Sequence, residues 1–145
     1  MNILVINGPN LNLLGTREPD IYGSDTLDEL MMWLETNPIS SDHSYKFYQS
    51  NHEGEIIDAI QDERQWANGL LINPAALTHY SYAIRDTITS VNIPTVEVHL
   101  SDIHNREEFR QLSVISPVCI EQVCGLGKDS YIKGLEILLK YLDTL

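Results

Sequence analysis

Short apolar runs alternate along this chain with longer stretches of helical period. Ile3-Leu4-Val5-Ile6 is continuous and apolar, and predicts a buried strand over residues 2–7. Leu27, Leu30, Met31 and Leu34 recur at i, i+3, i+4 and i+7, which predicts a helix from Thr26 to Asn37, capped by Ser24 or Asp25 and stopped by Pro38. Tyr45-Lys46-Phe47-Tyr48-Gln49 alternates and predicts a second strand of the edge type. A helix from Glu53 to Trp66 follows, with Ile56, Ile57 and Ile60 facing inward. Gly69 opens the third strand, Leu70-Leu71-Ile72, which ends at Asn73-Pro74. The pattern then gives a helix over Tyr80–Val91 and a strand over Thr95–Val98. It continues with a short helix over Asn105–Leu112, a fifth strand over Val118–Ile120 and a closing helix over Lys128–Asp143.

Strict β-α alternation implies an α/β fold, a five-stranded parallel sheet with helices on both faces. The common doubly wound order for five strands is 2-1-3-4-5. No linker or repeat divides the chain, so residues 1–145 are expected to form a single catalytic domain.

Composition narrows the function. The chain is 43% hydrophobic, enough for a real core. It opens with no charged-then-apolar leader, and no apolar run approaches 18 residues, so a soluble, cytoplasmic protein is expected. Cys119 and Cys124 lack zinc-site spacing and are read as buried reduced thiols. Nine Lys plus Arg stand against 21 Asp plus Glu, a net charge of −12, which argues against nucleic acid or an anionic membrane as partner. An anionic ligand would need the five arginines, Arg17, Arg64, Arg85, Arg106 and Arg110, to be focused locally.

The segment Asn7–Tyr22 packs three Asn, two Gly, two Pro, one Arg and one Tyr into sixteen positions after the first strand. That is loop composition, placed where α/β proteins keep their chemistry. A tyrosine is a poor base at its reference pKa of about 10, and a guanidinium held beside it favours the phenolate. Arg17 and Tyr22 form such a pair. The other strand ends hold Ser50, Asn51, His52 and Glu53, then Asn73, Ala76, Thr78 and His79, then His99, Leu100 and Ser101.

Each residue also has a plain structural reading. Asn7 and Asn10 suit turns, Arg17 a solvated surface, and Tyr22 a packed turn aromatic. His79 can cap the next helix, and Glu97 with His99 can be a satisfied core pair. Together they fit proton abstraction beside a carbonyl, with a tyrosinate base and a histidine acid oriented by Glu97 at i−2. Asn10 and Asn73 are neutral donors for an oxyanion or hydroxyls, and the Leu100 and Ser101 N–H groups can hold a carboxylate. No phosphate-loop, dinucleotide or Gly-x-Ser-x-Gly motif occurs, and no local spacing supports a metal. The competing reading is a small-ligand or FMN-binding module without catalysis. It needs a phosphate cradle where the chain has Asn7-Gly8-Pro9-Asn10. Another carbon–oxygen lyase acting on a polyhydroxy keto acid is a second alternative.

At NGPNLNLLGTREPDIYG (7–23), QSNHEGEIID (49–58), INPAALTHYSYAIRD (72–86), VEVHLSDIHNREEFR (96–110) and GLGKDSYIKGLEILL (125–139) the sequence resembles the type II 3-dehydroquinate dehydratase family. The resemblance implies a flavodoxin-like three-layer sandwich and a homododecamer, a tetramer of trimers. It implies no cofactor or metal, and anti elimination of water from 3-dehydroquinate through an enolate, as a step of the shikimate pathway. Carried over by position, it makes Tyr22 the proton acceptor, Arg17 the lid residue that keeps it ionised, Asn10 the enolate partner and His99 the proton donor oriented by Glu97. Asn73, His79 and Arg110 would grip hydroxyls, Leu100 and Ser101 the carboxylate, and Asp86 would come from a neighbouring subunit. Gly15 and Gly23 would hinge the lid. Leu77, Tyr80 and Asp102 depart from the family pattern and put the pocket rim in question.

Overall fold

The computed structural model describes residues 1–145. Five strands, β1 (Asn2–Asn7), β2 (Ser44–Gln49), β3 (Gly69–Asn73), β4 (Thr95–Val98) and β5 (Glu121–Val123), form one parallel sheet in the order β2-β1-β3-β4-β5. The 2-1-3-4-5 expectation holds. Strand β2 has one neighbour and alternates half-buried and exposed positions, as an edge strand should.

The period-2 geometry of a strand splits each apolar run between two cores. Ile3, Val5, Leu71, Val96 and Val98 face α2 (Leu27–Thr36) and α5 (Asp129–Leu142), meeting Leu30, Leu34, Tyr131, Leu135 and Leu138. Leu4, Ile6, Leu70 and Ile72 face the other way, toward Ile56 and Ile60 of α3 (Glu53–Asp62) and Ile84 and Ile88 of α4 (Tyr82–Val91). Helix α5 lies close on the sheet. A Cβ at Gly134 would fall 2.5 Å from Val98 Cγ1 and 3.0 Å from Leu71 Cδ1, so nothing larger fits there. No helix is long and apolar enough to cross a membrane.

Several boundaries differ from the sequence expectation. Helix α2 is capped by Thr26, not Ser24 or Asp25. Its hydroxyl accepts from Glu29 N while Glu29 reaches back to Thr26 N, a reciprocal box that satisfies two end donors. Asp25 pairs instead with Lys128 at 3.2 Å. Helix α3 ends at Asp62, four residues before Trp66, and α4 begins at Tyr82 rather than Tyr80 because Ser81, not His79, caps it. Asn105–Leu112 is not an α-helix but two 3-10 turns, Ile103–Asn105 and Glu108–Gln111. Asp102 draws His104 N and Asn105 Nδ2 onto its carboxylate, and so short a polar segment cannot nucleate a helix alone. The fifth strand lies three residues after the expected Val118–Ile120. Pro117 sits in a 3-10 turn, Val118 and Cys119 pack into one core, and pairing with β4 begins only at Glu121. The opening loop contains a helical turn, α1 (Pro19–Tyr22), set by proline at its first position.

Candidate active site

The carboxyl ends of β1, β3 and β4 converge on a cleft of about 150 Å³. Its wall includes Asn10, Arg17, Tyr22, Asn73, His79 and His99, with Leu100, Ser101, Arg106 and Arg110. Of the expected residues, only Glu97 and Asp86 do not line it. Glu97 lies buried beneath His99, and Asp86 is exposed on α4. A larger hollow of about 400 Å³ between β2 and α3 gathers Glu55, Asp58, Asp62 and Glu63 against Lys46, and no arginine or histidine. The chemistry sits in the smaller one.

The backbone around the cleft is held in unusual conformations. Asn10 (φ 69°), Glu18 (φ 38°) and Ala75 (φ 51°) are three of the four non-glycine residues with positive φ. Such backbone costs about 1–3 kcal/mol at each position and persists where surroundings over-determine it. Here they do. Gly8 donates its N–H to Asn73 O at 2.8 Å, and a Cβ at Gly8 would fall 2.6 Å from Pro74 O, so the loops after β1 and β3 are clamped together. Asn10 N donates to Asn51 Oδ1 at 2.9 Å, and Ala75 N to Asn73 Oδ1 at 3.1 Å. The two glycines that bound the lid segment, Gly15 (φ 90°) and Gly23 (φ 85°), both have left-handed backbone.

Buried polar groups fix two strand-end side chains. Tyr131 donates to Asn7 Oδ1 at 2.6 Å and accepts from Asn73 Nδ2 at 2.9 Å, which orients the Asn73 amide. Burial pushes the Tyr131 phenol up, so it stays a neutral link. Glu97 is wholly buried and accepts from His99 Nε2 at 2.6 Å, from Ser113 Oγ at 3.0–3.1 Å, and from Thr78 Oγ1. Burial alone would raise its carboxyl. The hydrogen bond and charge of His99, with the Thr78 and Ser113 hydroxyls, outweigh it and hold the group below the usual carboxylate range. With Nε2 committed to Glu97, Nδ1 is the His99 nitrogen left for a ligand.

Arg106 Nη1 donates to Tyr22 Oη at 2.7 Å and reaches Ser101 Oγ at 3.3 Å, and its guanidinium carbon lies 5.4 Å from the Tyr22 ring centre. Arg17 is closer to the ring, 4.6 Å from its centre, but stacks on its face and reaches Glu18 at 3.7 Å. The hydrogen-bond partner of the Tyr22 oxygen is therefore Arg106, which the sequence reading counted among five arginines without giving it a role. Its link to Tyr22 spans 84 residues, and only the topology brings them together. Arg110 lies over Phe109 and pairs with Glu107 at 2.7 Å.

His79 Nδ1 lies 2.7 Å from the Leu112 carbonyl oxygen, so that nitrogen carries the hydrogen and donates it. Burial, and the neighbouring His99 and Arg110 charges, push His79 below the ordinary histidine value despite that bond. It is thus a neutral ring with an accepting Nε2. The Leu100 and Ser101 N–H groups make no hydrogen bond within the chain. Three guanidiniums in a chain of net charge −12, beside two free N–H groups, make this cleft a local anion trap. Leu77, Tyr80 and Asp102 all lie outside the lining. Leu77 is core, Tyr80 is exposed, and Asp102 caps the turn after it.

A family model, Dehydroquinase class II, matches residues 1–139. The chain is 51% identical over 142 residues to a 3-dehydroquinate dehydratase of Geotalea daltonii, covering 98% of this chain and 99% of that one. It is 54% identical over 143 residues to one from Caldicellulosiruptor saccharolyticus, covering 97% of each. Its fold superposes on the crystal structure of a type II dehydroquinase from Butyrivibrio crossotus with a TM-score of 0.92 at 49% identity, covering 96% and 97% of the two chains.

Proposed function

The chain belongs to the dehydroquinase class II family, and on that premise we propose that it is a 3-dehydroquinate dehydratase, a carbon–oxygen hydro-lyase working through the cleft described above. The single observation that carries the mechanism is the pairing within one cleft of two prepared groups. One is a tyrosine oxygen held by a guanidinium at 2.7 Å, the other a histidine held by a buried carboxylate at 2.6 Å.

Tyr22, as the phenolate, takes a proton from the carbon next to the ketone, and the electron pair moves onto the ketone oxygen. Arg106 stabilises the phenolate through its hydrogen bond, and Arg17 adds positive charge over the ring. Asn10 holds the water or donor at the enolate oxygen. The enolate then collapses to the enone. The hydroxyl at the far carbon leaves with the proton of His99 Nδ1, so water departs and 3-dehydroshikimate remains. The Leu100 and Ser101 N–H groups, with the Ser101 hydroxyl, hold the substrate carboxylate. Asn73, His79 and Arg110 hold its ring hydroxyls, His79 as acceptor.

Asp86 reaches the site of a neighbouring subunit in a homododecamer, a tetramer of trimers. It stands exposed on α4 one turn after exposed Tyr82, a face suited to a second copy. The reaction is the third step of the shikimate pathway, toward aromatic amino acids, in the cytoplasm.

The test is the ultraviolet absorbance of the conjugated enone on mixing protein with 3-dehydroquinate. A steady gain that scales with protein supports the reading, and none at micromolar protein refutes it. Sedimentation at twelve subunits supports the assembly, and a stable active monomer overturns it.

A further inference from the structure

Thr78 and Ser113 are absent from the cleft wall, yet both point at its chemistry through Glu97. Thr78 is fully buried and Ser113 is 7% exposed, so neither touches a ligand.

Their hydrogens can be assigned by counting. Ser113 Oγ accepts from Ile115 N at 3.2 Å and from Ser116 N at 2.9 Å, which occupies both lone pairs. Its hydroxyl hydrogen must then leave toward Glu97, whose oxygens are 3.0 and 3.1 Å away, or toward Thr78 Oγ1 at 2.8 Å. Thr78 cannot donate to a Ser113 oxygen that is already full, so its own hydrogen goes to Glu97 Oε1. The bond from Val114 N to Thr78 O at 2.8 Å ties the two segments together. Every donor in this chain, from two backbone amides through two hydroxyls, points toward one carboxylate. Glu97 cannot donate to either hydroxyl unless the backbone of residues 115–116 turns over.

We propose that Thr78 and Ser113 form a directional lock that keeps Glu97 an acceptor, thereby fixing neutral His99 as the Nε2–H tautomer with Nδ1 open to the cleft and setting the pH at which Nδ1 gives up its working proton. They are positioning residues, acting through Glu97. The catalytic part of the claim rests on His99 being the acid of the dehydration.

The sign follows from which state the hydroxyls stabilise. When the pair has lost its proton, Glu97 is an anion facing a neutral ring, and the two hydroxyls are then its remaining strong donors. With the proton present, the imidazolium shares that task. Removing a hydroxyl therefore harms the deprotonated pair more, and the pair keeps its proton to higher pH. The other ionisable groups felt by this pair are His79, Cys119 and Cys124, with Arg110 acting on His79. Tyr22, Arg106 and Arg17 share the cleft with His99. All remain in place in the variants below.

The experiment is 15N-histidine magic-angle-spinning NMR on the intact assembly across pH, with the His99 signals identified by their loss in His99→Gln. In wild type, neutral His99 should show Nε2–H, and finding Nδ1–H overturns the lock with no variant needed. Ser113→Ala and the near-isosteric Thr78→Val should each raise the His99 midpoint by roughly one pH unit. Thr78→Ser, which keeps the hydroxyl, should restore it. In the enone assay the same two variants should lose kcat, roughly tenfold, with KM little changed, and the acid-side pH profile should move up with the NMR midpoint. A midpoint unmoved in both folded variants, or a loss confined to KM, overturns the proposal. Wild-type protein that makes no enone would remove the function but leave the NMR outcome to decide the lock.

Discussion

The cleft has two halves held by different physics. On the β3–β4 side, Asn73, Glu97 and His99 are 3%, 0% and 5% exposed, and each is tied by buried hydrogen bonds to Tyr131, Thr78 or Ser113. On the loop side, Arg17 leans on Glu18, whose side chain is 54% exposed, and Arg106 and Arg110 on Glu107, at 58%. Surface pairs of that kind contribute about 0–1 kcal/mol, whereas removing one member of a buried pair costs about 3–5 kcal/mol. The acid half is part of the core and the base half is laid over it. Damage to the first should therefore unfold the protein as well as stop it. Damage to the second should only stop it.

The sharpest test is Tyr22→Phe. Turnover in the enone assay should fall by roughly 10³-fold, in the range general acid–base groups supply, while the melting temperature stays near wild type. A large drop in melting temperature would make Tyr22 a structural member of the fold and erase the contrast. Next is Glu97→Gln on the locked side. It removes the charge that His99, Thr78 and Ser113 are arranged around, and should cost about 3 kcal/mol in denaturant unfolding as well as most of the turnover. If stability is unchanged, the buried network does not hold the acid half together.

The same contrast explains what could be read from the residues. β1, β3 and β4 were legible because buried parallel strands must be continuously apolar, and α2 and α5 because their apolar stripes repeat at helical spacing. Asn10, Asn73, His79 and His99 were legible because topology alone sends strand carboxyl ends to one place. β5 was misplaced because its residues, Glu121 and Gln122, are polar and the strand is defined by pairing to β4, not by its own pattern. Arg106 was passed over because its partner is 84 residues away, and the hydroxyls of Thr78 and Ser113 because Ser and Thr carry no sequence mark of burial.

The two arginines of the loop side separate a bond from a field. Arg106→Lys keeps the charge but loses the fork that reaches Tyr22 Oη and Ser101 Oγ together, and should lower kcat by roughly 10–100-fold. Arg17→Ala removes charge from over the ring and should slow turnover and move the rise of the pH–rate profile to higher pH. Neither should shift the melting temperature by more than a degree or two, since exposed pairs alone are lost. An Arg17→Ala profile identical to wild type would leave Arg106 as the one cation that matters to the base.

The smallest effect is also the one that spans the pH scale. Glu97 is held below its ordinary 4.5, so the stability it contributes is present above that pH and is lost as pH falls through the folded value. His79 is lowered from 6.5, so the unfolded chain binds its proton first, and stability declines as pH falls below 6.5. Both act on the acid side. Cys119 and Tyr131 are raised by burial from 9.0 and 10.0, so their contribution is full below those values and declines as pH climbs past them. Melting temperature against pH should therefore be flat between about 6.5 and 9 and fall on both flanks. Tyr131→Phe should ease the alkaline fall, at a cost in overall stability because Asn7 and Asn73 lose their shared partner. All four groups belong to the core and the acid half, none to the loop side. Arg17→Ala should thus trace the wild-type stability curve at every pH. A curve that parted from wild type on either flank would mean that the loop side shares the core's electrostatics, and the two halves would have to be treated as one.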